Sequence, residues 1–167
     1  MEESTGFLLP NLLVSACVDG TITVLRLTLN RFLLVGVHSF MYEALLSLVV
    51  VHAQISEIAP PLVFRALSAL LINMAQDCLR CFQQVERFGM GGMLQATLEM
   101  EFMNHTLSQY KSPSSDEILQ MIYAAVDRAY QPEGGENLQN EMAGLKKLLL
   151  DARHATQVQF LCFKKPK

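Results

Sequence analysis

Charge is scarce in this chain. Asp, Glu, Lys and Arg supply 17% of its 167 residues, against about 25% in ordinary soluble domains. Hydrophobic residues reach 51% and mean hydropathy is +0.26. So little charge implies that some apolar surface is covered from outside, by a membrane or by a protein neighbour. A basic excess is absent as well. The net charge of −3 gives none of the electrostatic footprint of a nucleic-acid binder. Long unbroken apolar runs are also missing. The best window, Phe32–Val51, contains His38 and Glu43 and falls short of the roughly 20 apolar residues of a spanning helix. A lipoprotein-like box, Val14-Ser15-Ala16-Cys17, follows a segment with Glu2 and Glu3 but no Lys or Arg, so the positive leader region is missing. Four cysteines show no disulfide framework, and the expected setting is intracellular.

The parts of a catalytic site are missing in the same way. Cys78-Leu79-Arg80-Cys81 is a CxxC, but it falls mid-helix among apolar residues rather than at a helix start, where the dipole would lower a thiol pKa. Core packing is the expected role. No second CxxC or HxxxH supplies the further ligands a zinc ion needs. Gly89-Met90-Gly91-Gly92 lacks the Lys-Ser/Thr of a phosphate-binding loop and reads as helix punctuation. Asn104-His105-Thr106 matches a glycosylation sequon within a helix, where chance is the expected explanation. His38, His52, His105 and His154 are scattered, with no carboxylate at a known metal or catalytic spacing. Glu99 and Glu101 stand two apart and point to different helix faces. Ser68 has no flanking glycines of a nucleophile elbow. No catalytic, cofactor-binding or metal-ligating residue is therefore assigned, and no enzyme activity is expected.

What the chain does have is helical periodicity. Residues 1–37 differ in texture, and Thr21–Leu29 is β-branched enough to read as a strand or irregular chain. From His38 the pattern predicts a helix over Ser39–Ile58, stopped by Pro60-Pro61. A second runs from Pro61 to Phe88, with Val63, Leu67, Leu70, Leu71, Met74, Cys78, Cys81, Phe82 and Val85 on its apolar face. The glycines break it, and a third helix covers Met93–Tyr110. There two stripes lie side by side: Met93, Ala96, Met100, Met103, Leu107 and Tyr110, then Leu94, Leu98 and Phe102. Such width implies burial on more than one side. Ser114 and Glu117 fit a capping box for a fourth helix reaching Tyr130, with Ile118, Ile122, Ala125, Val126 and Ala129 inward. Pro132–Asn137 is a loop. A fifth helix spans Leu138–Phe163, its seam Leu138, Met142, Leu145, Leu149 and Ala152. Short connections between long amphipathic helices imply an all-α antiparallel bundle. The expected division is a poorly defined segment 1–37 and a bundle domain 38–164. The final Lys164-Lys165-Pro166-Lys167 is a small basic tail.

Several strings along residues 42–163 resemble a known family. They are Val50-Val51-His52-Ala53-Gln54-Ile55-Ser56, then Leu62-Val63 with Arg65-Ala66-Leu67-Ser68. The most specific is Cys81-Phe82 through Phe88 followed by Gly92-Met93-Leu94-Gln95-Ala96-Thr97-Leu98-Glu99. Tyr110 with its Ser/Pro loop and Gln159-Phe160-Leu161-Cys162-Phe163 complete the order. Together they resemble the C-terminal region of the exocyst complex component 2 (Sec-five subunit) family. Residues 1–37 show no such likeness.

The resemblance implies a non-catalytic scaffold module of the exocyst, which tethers secretory vesicles to the plasma membrane before fusion. It implies a place at the distal end of a rod of stacked helical bundles. Other exocyst subunits are the expected partners, with no nucleic acid, small-molecule substrate or cofactor. The expected location is cytoplasmic and peripheral at the plasma membrane, reached only through the complex. Family members are several times longer, with an N-terminal coiled coil and, in animals, an immunoglobulin-like domain. The chain is therefore expected to be a fragment or a truncated gene product. The alternative is a membrane-associated helical protein held by its apolar N-terminal third.

Overall fold

Five α-helices and three short 3₁₀ turns make up the regular structure of a computed structural model that describes residues 36–132 and 138–164. The expected strand over Thr21–Leu29 lies outside the described residues. So do residues 133–137 of the expected loop and 165–167 of the basic tail. Among the described residues there is no sheet, and the all-α bundle expected from periodicity is what forms.

Helix α1, Ser39–Ile58, has the expected bounds. It buries Met41, Ala44, Leu45 and Leu48, which recur at three- and four-residue spacing. Pro60–Leu62 form a 3₁₀ turn, and α2 follows over Val63–Gln83. Proline suits a first turn because its missing N–H would be unsatisfied there anyway.

α2 ends five residues before the predicted Phe88, and for a visible reason. Phe88 is fully buried. Its N–H donates to the Ala129 carbonyl at 2.7 Å, and its own carbonyl accepts from Gln131 N–H at 3.1 Å. Those two bonds and the buried ring offset the helical turn given up.

Gly89 is the N-cap of α3, Met90–Thr106. The helix break is real, but Gly91 and Gly92 lie inside the first turn of α3 rather than in the gap. Each lowers helix stability by about 1 kcal/mol relative to alanine without stopping it. α3 is the central element, and every apolar residue of both predicted stripes is buried. A 3₁₀ turn, Ser108–Tyr110, leads to α4, Pro113–Ala129.

The cap of α4 lies two residues earlier than expected. Ser112 and Ser115, not Ser114 and Glu117, form the capping box. The Ser112 hydroxyl accepts from Ser115 N–H at 3.3 Å, and the Ser115 hydroxyl accepts from Ser112 N–H at 2.8 Å. Pro113 dictates this register, since its fixed φ and missing N–H fit the position just after the cap.

α5, Leu138–Ala155, stops short of the predicted Phe163. The chain hooks back and ends in a 3₁₀ turn, Leu161–Phe163. The hook drives Phe160 and Phe163 into an aromatic cluster with Phe102, Tyr110 and His52, centroids 6.0–6.2 Å apart. Of the predicted α5 seam, Leu145 is buried while Leu138 is 41% exposed.

The packing order is less simple than a string of hairpins. α2 packs chiefly on α4, and α3 chiefly on α5. α2 and α4 run in the same direction. Their starts are tied by the Ser68 hydroxyl donating to the Tyr110 carbonyl at 2.9 Å, and their ends by the Phe88–Tyr130 bridge. Direction therefore reverses from helix to helix, while the strongest contacts join helices two apart.

Candidate interaction site

The most polar feature of the interior is a carboxylate. Glu99 sits on α3 and is 1% exposed. Its Oε1 receives three N–H groups: the His38 backbone at 2.9 Å, the His38 ring Nδ1 at 2.8 Å, and the Gln95 amide at 2.6 Å. Gln95, one turn earlier and itself 2% exposed, also donates to the Gly36 carbonyl at 3.0 Å. Those two bonds use both amide protons of Gln95. Its 2.9 Å approach to His38 Nδ1 is therefore not a third donation, and Nδ1 carries the proton it gives to Glu99. The second oxygen, Oε2, is buried with no hydrogen-bond partner. The carboxylate also acts on Tyr42. Burial, followed by the Glu99 charge, pushes that phenol above its ordinary value. This cluster clamps the entry of α1 onto the middle of α3.

Gln95 and Glu99 belong to the Leu-Gln-Ala-x-Leu-Glu string that carried the resemblance. Its most polar members are thus an architectural joint. The i,i+4 spacing of two polar residues between the apolar stripes of α3 was the available signal. Their partner His38 lies 61 residues away from Glu99, beyond the reach of local spacing.

Glu101 faces elsewhere, as its two-residue offset requires. It accepts from the Tyr123 hydroxyl at 2.5 Å and pairs with His105 at 3.4 Å. Burial and that hydrogen bond push the Tyr123 phenol well up. Two of the four histidines thus do meet carboxylates, both in joints between or along helices. Cys81 is buried and Cys78 half-buried on α2, matching the packing role. Among the described residues no three His, Cys, Asp or Glu side chains come together to hold a metal.

The outer surface is more distinctive. The face of α1 opposite the core carries exposed Leu46 and Val50 beside Glu43, Gln54 and Glu57. Ile58, Leu62 and Phe64 stand exposed at the corner where α1 turns into α2, Ile58 at 84%. By length and composition, α1 and the run Pro60–Gln83 are each long and apolar enough to cross a membrane. In this fold their most apolar faces, including Leu45, Leu67 and Leu71, meet the common core.

Comparison with known proteins agrees with the strings. The chain is 28% identical over 128 residues to exocyst complex component 2 of Homo sapiens, covering 77% of this chain and 13% of that protein. It is 27% identical over the same length to exocyst complex component 2 of Mus musculus, with equal coverage. The chain therefore spans a small part of the curated relatives it matches. No solved structure matches it. The family model for exocyst complex component Sec5 matches residues 28–163, so the likeness extends over residues 28–37, where the strings show none. With most of its length inside that match, the chain belongs to the Sec5 family of exocyst components.

Proposed function

We propose that this chain is a non-catalytic scaffold module of the exocyst. It acts in exocytosis, in docking secretory vesicles at the plasma membrane, through contacts with other exocyst subunits. The family match over residues 28–163 carries this reading. The exposed apolar corner of α1 and α2 supports it, because contiguous apolar surface rimmed by polar groups marks a contact site. The polar groups that resemble catalytic parts are engaged in packing: Ser68 holds the Tyr110 carbonyl and Glu99 holds His38. The unit that carries the role is residues 38–164, cytoplasmic and reaching the membrane only through the complex.

The test is an affinity pulldown from cytosol with the whole chain and with a Val50→Glu, Phe64→Glu variant. Recovery of exocyst subunits by the first and their loss from the second is the expected result. Recovery of none by the unmodified chain rejects the proposal. A second reading, membrane association through the apolar helices, draws on the length of α1 and the Pro60–Gln83 run. Flotation of the purified chain with lipid vesicles in the absence of other subunits would favour it.

A further inference from the structure

At the end of the bundle where α3 and α5 both finish, the terminal hook borders an open cavity of about 530 Å³. That is within the range of ligand-holding clefts. Its floor is aromatic: Phe160 and Phe163 lie stacked, centroids 6.1 Å apart, and both are buried. Its rim carries two cations, Arg153 from the last turn of α5 and Lys164 from the end of the hook, with His154 of α5 and His105 of α3 beside them. Among the described residues no Asp or Glu lines it. His105 pairs with Glu101, but Arg153, His154 and Lys164 have no ion-pair partner among the described residues. A local positive rim on a chain of net charge −3 is a departure from the average, and charges beyond about 8 Å are screened at physiological salt. The same hook leaves Val158 and Leu161 exposed at 77% and 61%.

We infer that this cavity docks an acidic peptide segment of a protein partner, carrying an aromatic or aliphatic side chain between its carboxylates. Charge complementarity selects the acidic flanks, since a planar guanidinium and an ammonium stand free at the rim. The aromatic floor selects the apolar insertion, which an inorganic anion would leave unused. Exposed Val158 and Leu161 extend the apolar contact along the hook. The inference concerns a surface distinct from the α1–α2 corner and stands or falls separately from the exocyst assignment.

The test is fluorescence anisotropy with the full chain and a short fluorescein-labelled peptide of glutamates flanking one phenylalanine. Saturable binding is expected. It should weaken about tenfold in Arg153→Glu, Lys164→Glu, as reversal of close interfacial charges does. The control is Lys146→Glu, Lys147→Glu, the same charge change on exposed positions of α5 outside the cavity, and it should bind as the unmodified chain does. Equal weakening by both pairs overturns the inference, because it marks general attraction. Loss of binding to phosphatidylserine vesicles in the cavity variant, with no peptide binding by the unmodified chain, also overturns it in favour of a lipid. Amide shift mapping on the unmodified chain removes dependence on any variant. Peptide-induced shifts should centre on Arg153 and Phe160–Lys164, and shifts centred elsewhere refute the site.

Discussion

Replacing Glu99 by alanine tests the joint between α1 and α3. Three donors lose their acceptor, each a hydrogen bond to a charged group with a net worth of about 1.5–3 kcal/mol. The three are not equivalent. The His38 side chain is 27% exposed, so its ring N–H reaches water once released. Gln95 at 2% exposure cannot, and an orphaned buried donor costs about 1–3 kcal/mol. Lost methylene burial and the cavity left behind add roughly 1 kcal/mol. Against this stands relief: a buried charge with one unpartnered oxygen carries a desolvation penalty of several kcal/mol, which the mutation removes. The net expectation is a loss of about 2–4 kcal/mol, or roughly 4–16 °C in Tm for a chain of this size. Glu99→Gln should lose only about 1–2 kcal/mol, because its amide oxygen still faces the same donors. Circular dichroism is the suitable probe, as the chain has no tryptophan. Hydrogen exchange at the His38 amide supplies the local readout and should accelerate in the alanine variant. An unchanged midpoint in Glu99→Ala, or a fast-exchanging His38 amide in the unmodified chain, would refute the reasoning.

Three other outcomes are expected. Leu98→Asp places a charge at a fully buried position of α3 and should cost several kcal/mol; an unchanged thermal midpoint would mean α3 is not central. Ser112→Ala removes half of the α4 capping box and should lower stability by about 1 kcal/mol, read by urea titration. Alkaline stability should fall above the ordinary tyrosine value of 10.0, because Tyr42, Tyr110 and Tyr123 are all raised in the folded state. There the unfolded chain releases protons that the folded chain keeps, so stability is full below that pH and declines above it. Tyr123→Phe should make the decline shallower by up to one proton, measured by denaturant midpoints across that range, and an identical slope would falsify the assignment.

The helices were legible because their apolar residues recur at helical spacing and their stops are marked by proline. α1 was located to the residue, and both α3 stripes are buried as read. Four features were hidden, each for a physical reason. The end of α2 depends on Phe88 finding Ala129 and Tyr130, a tertiary gain that no local pattern records. The α5 end depends on Phe160 and Phe163 reaching Phe102 and Tyr110 across the bundle. Glu99 reads only as a carboxylate on a different face from Glu101 until His38 is placed over it. The rim of the terminal cavity was the least visible, since Arg153, His154, Lys164 and His105 come from separate stretches of the chain.

That α2 meets α4 more closely than α3 has a meaning for how the chain folds. The tie from Ser68 to Tyr110 spans 42 residues, so α2 cannot find its main partner by closing a simple hairpin. Lengthening the loop adds little entropy, about 0.6 kcal/mol per doubling, but contacts distant in sequence slow folding. During synthesis α2 emerges before α3 and α4, and the burial of Leu67, Leu71, Met74 and Phe82 is completed only once both have packed. A nascent chain halted between Gln83 and Ala129 leaves that stripe incompletely covered. The interval before α4 completes is thus the period in which this protein most needs a chaperone, and in which a partner that covers α2 prematurely would block the native pairing.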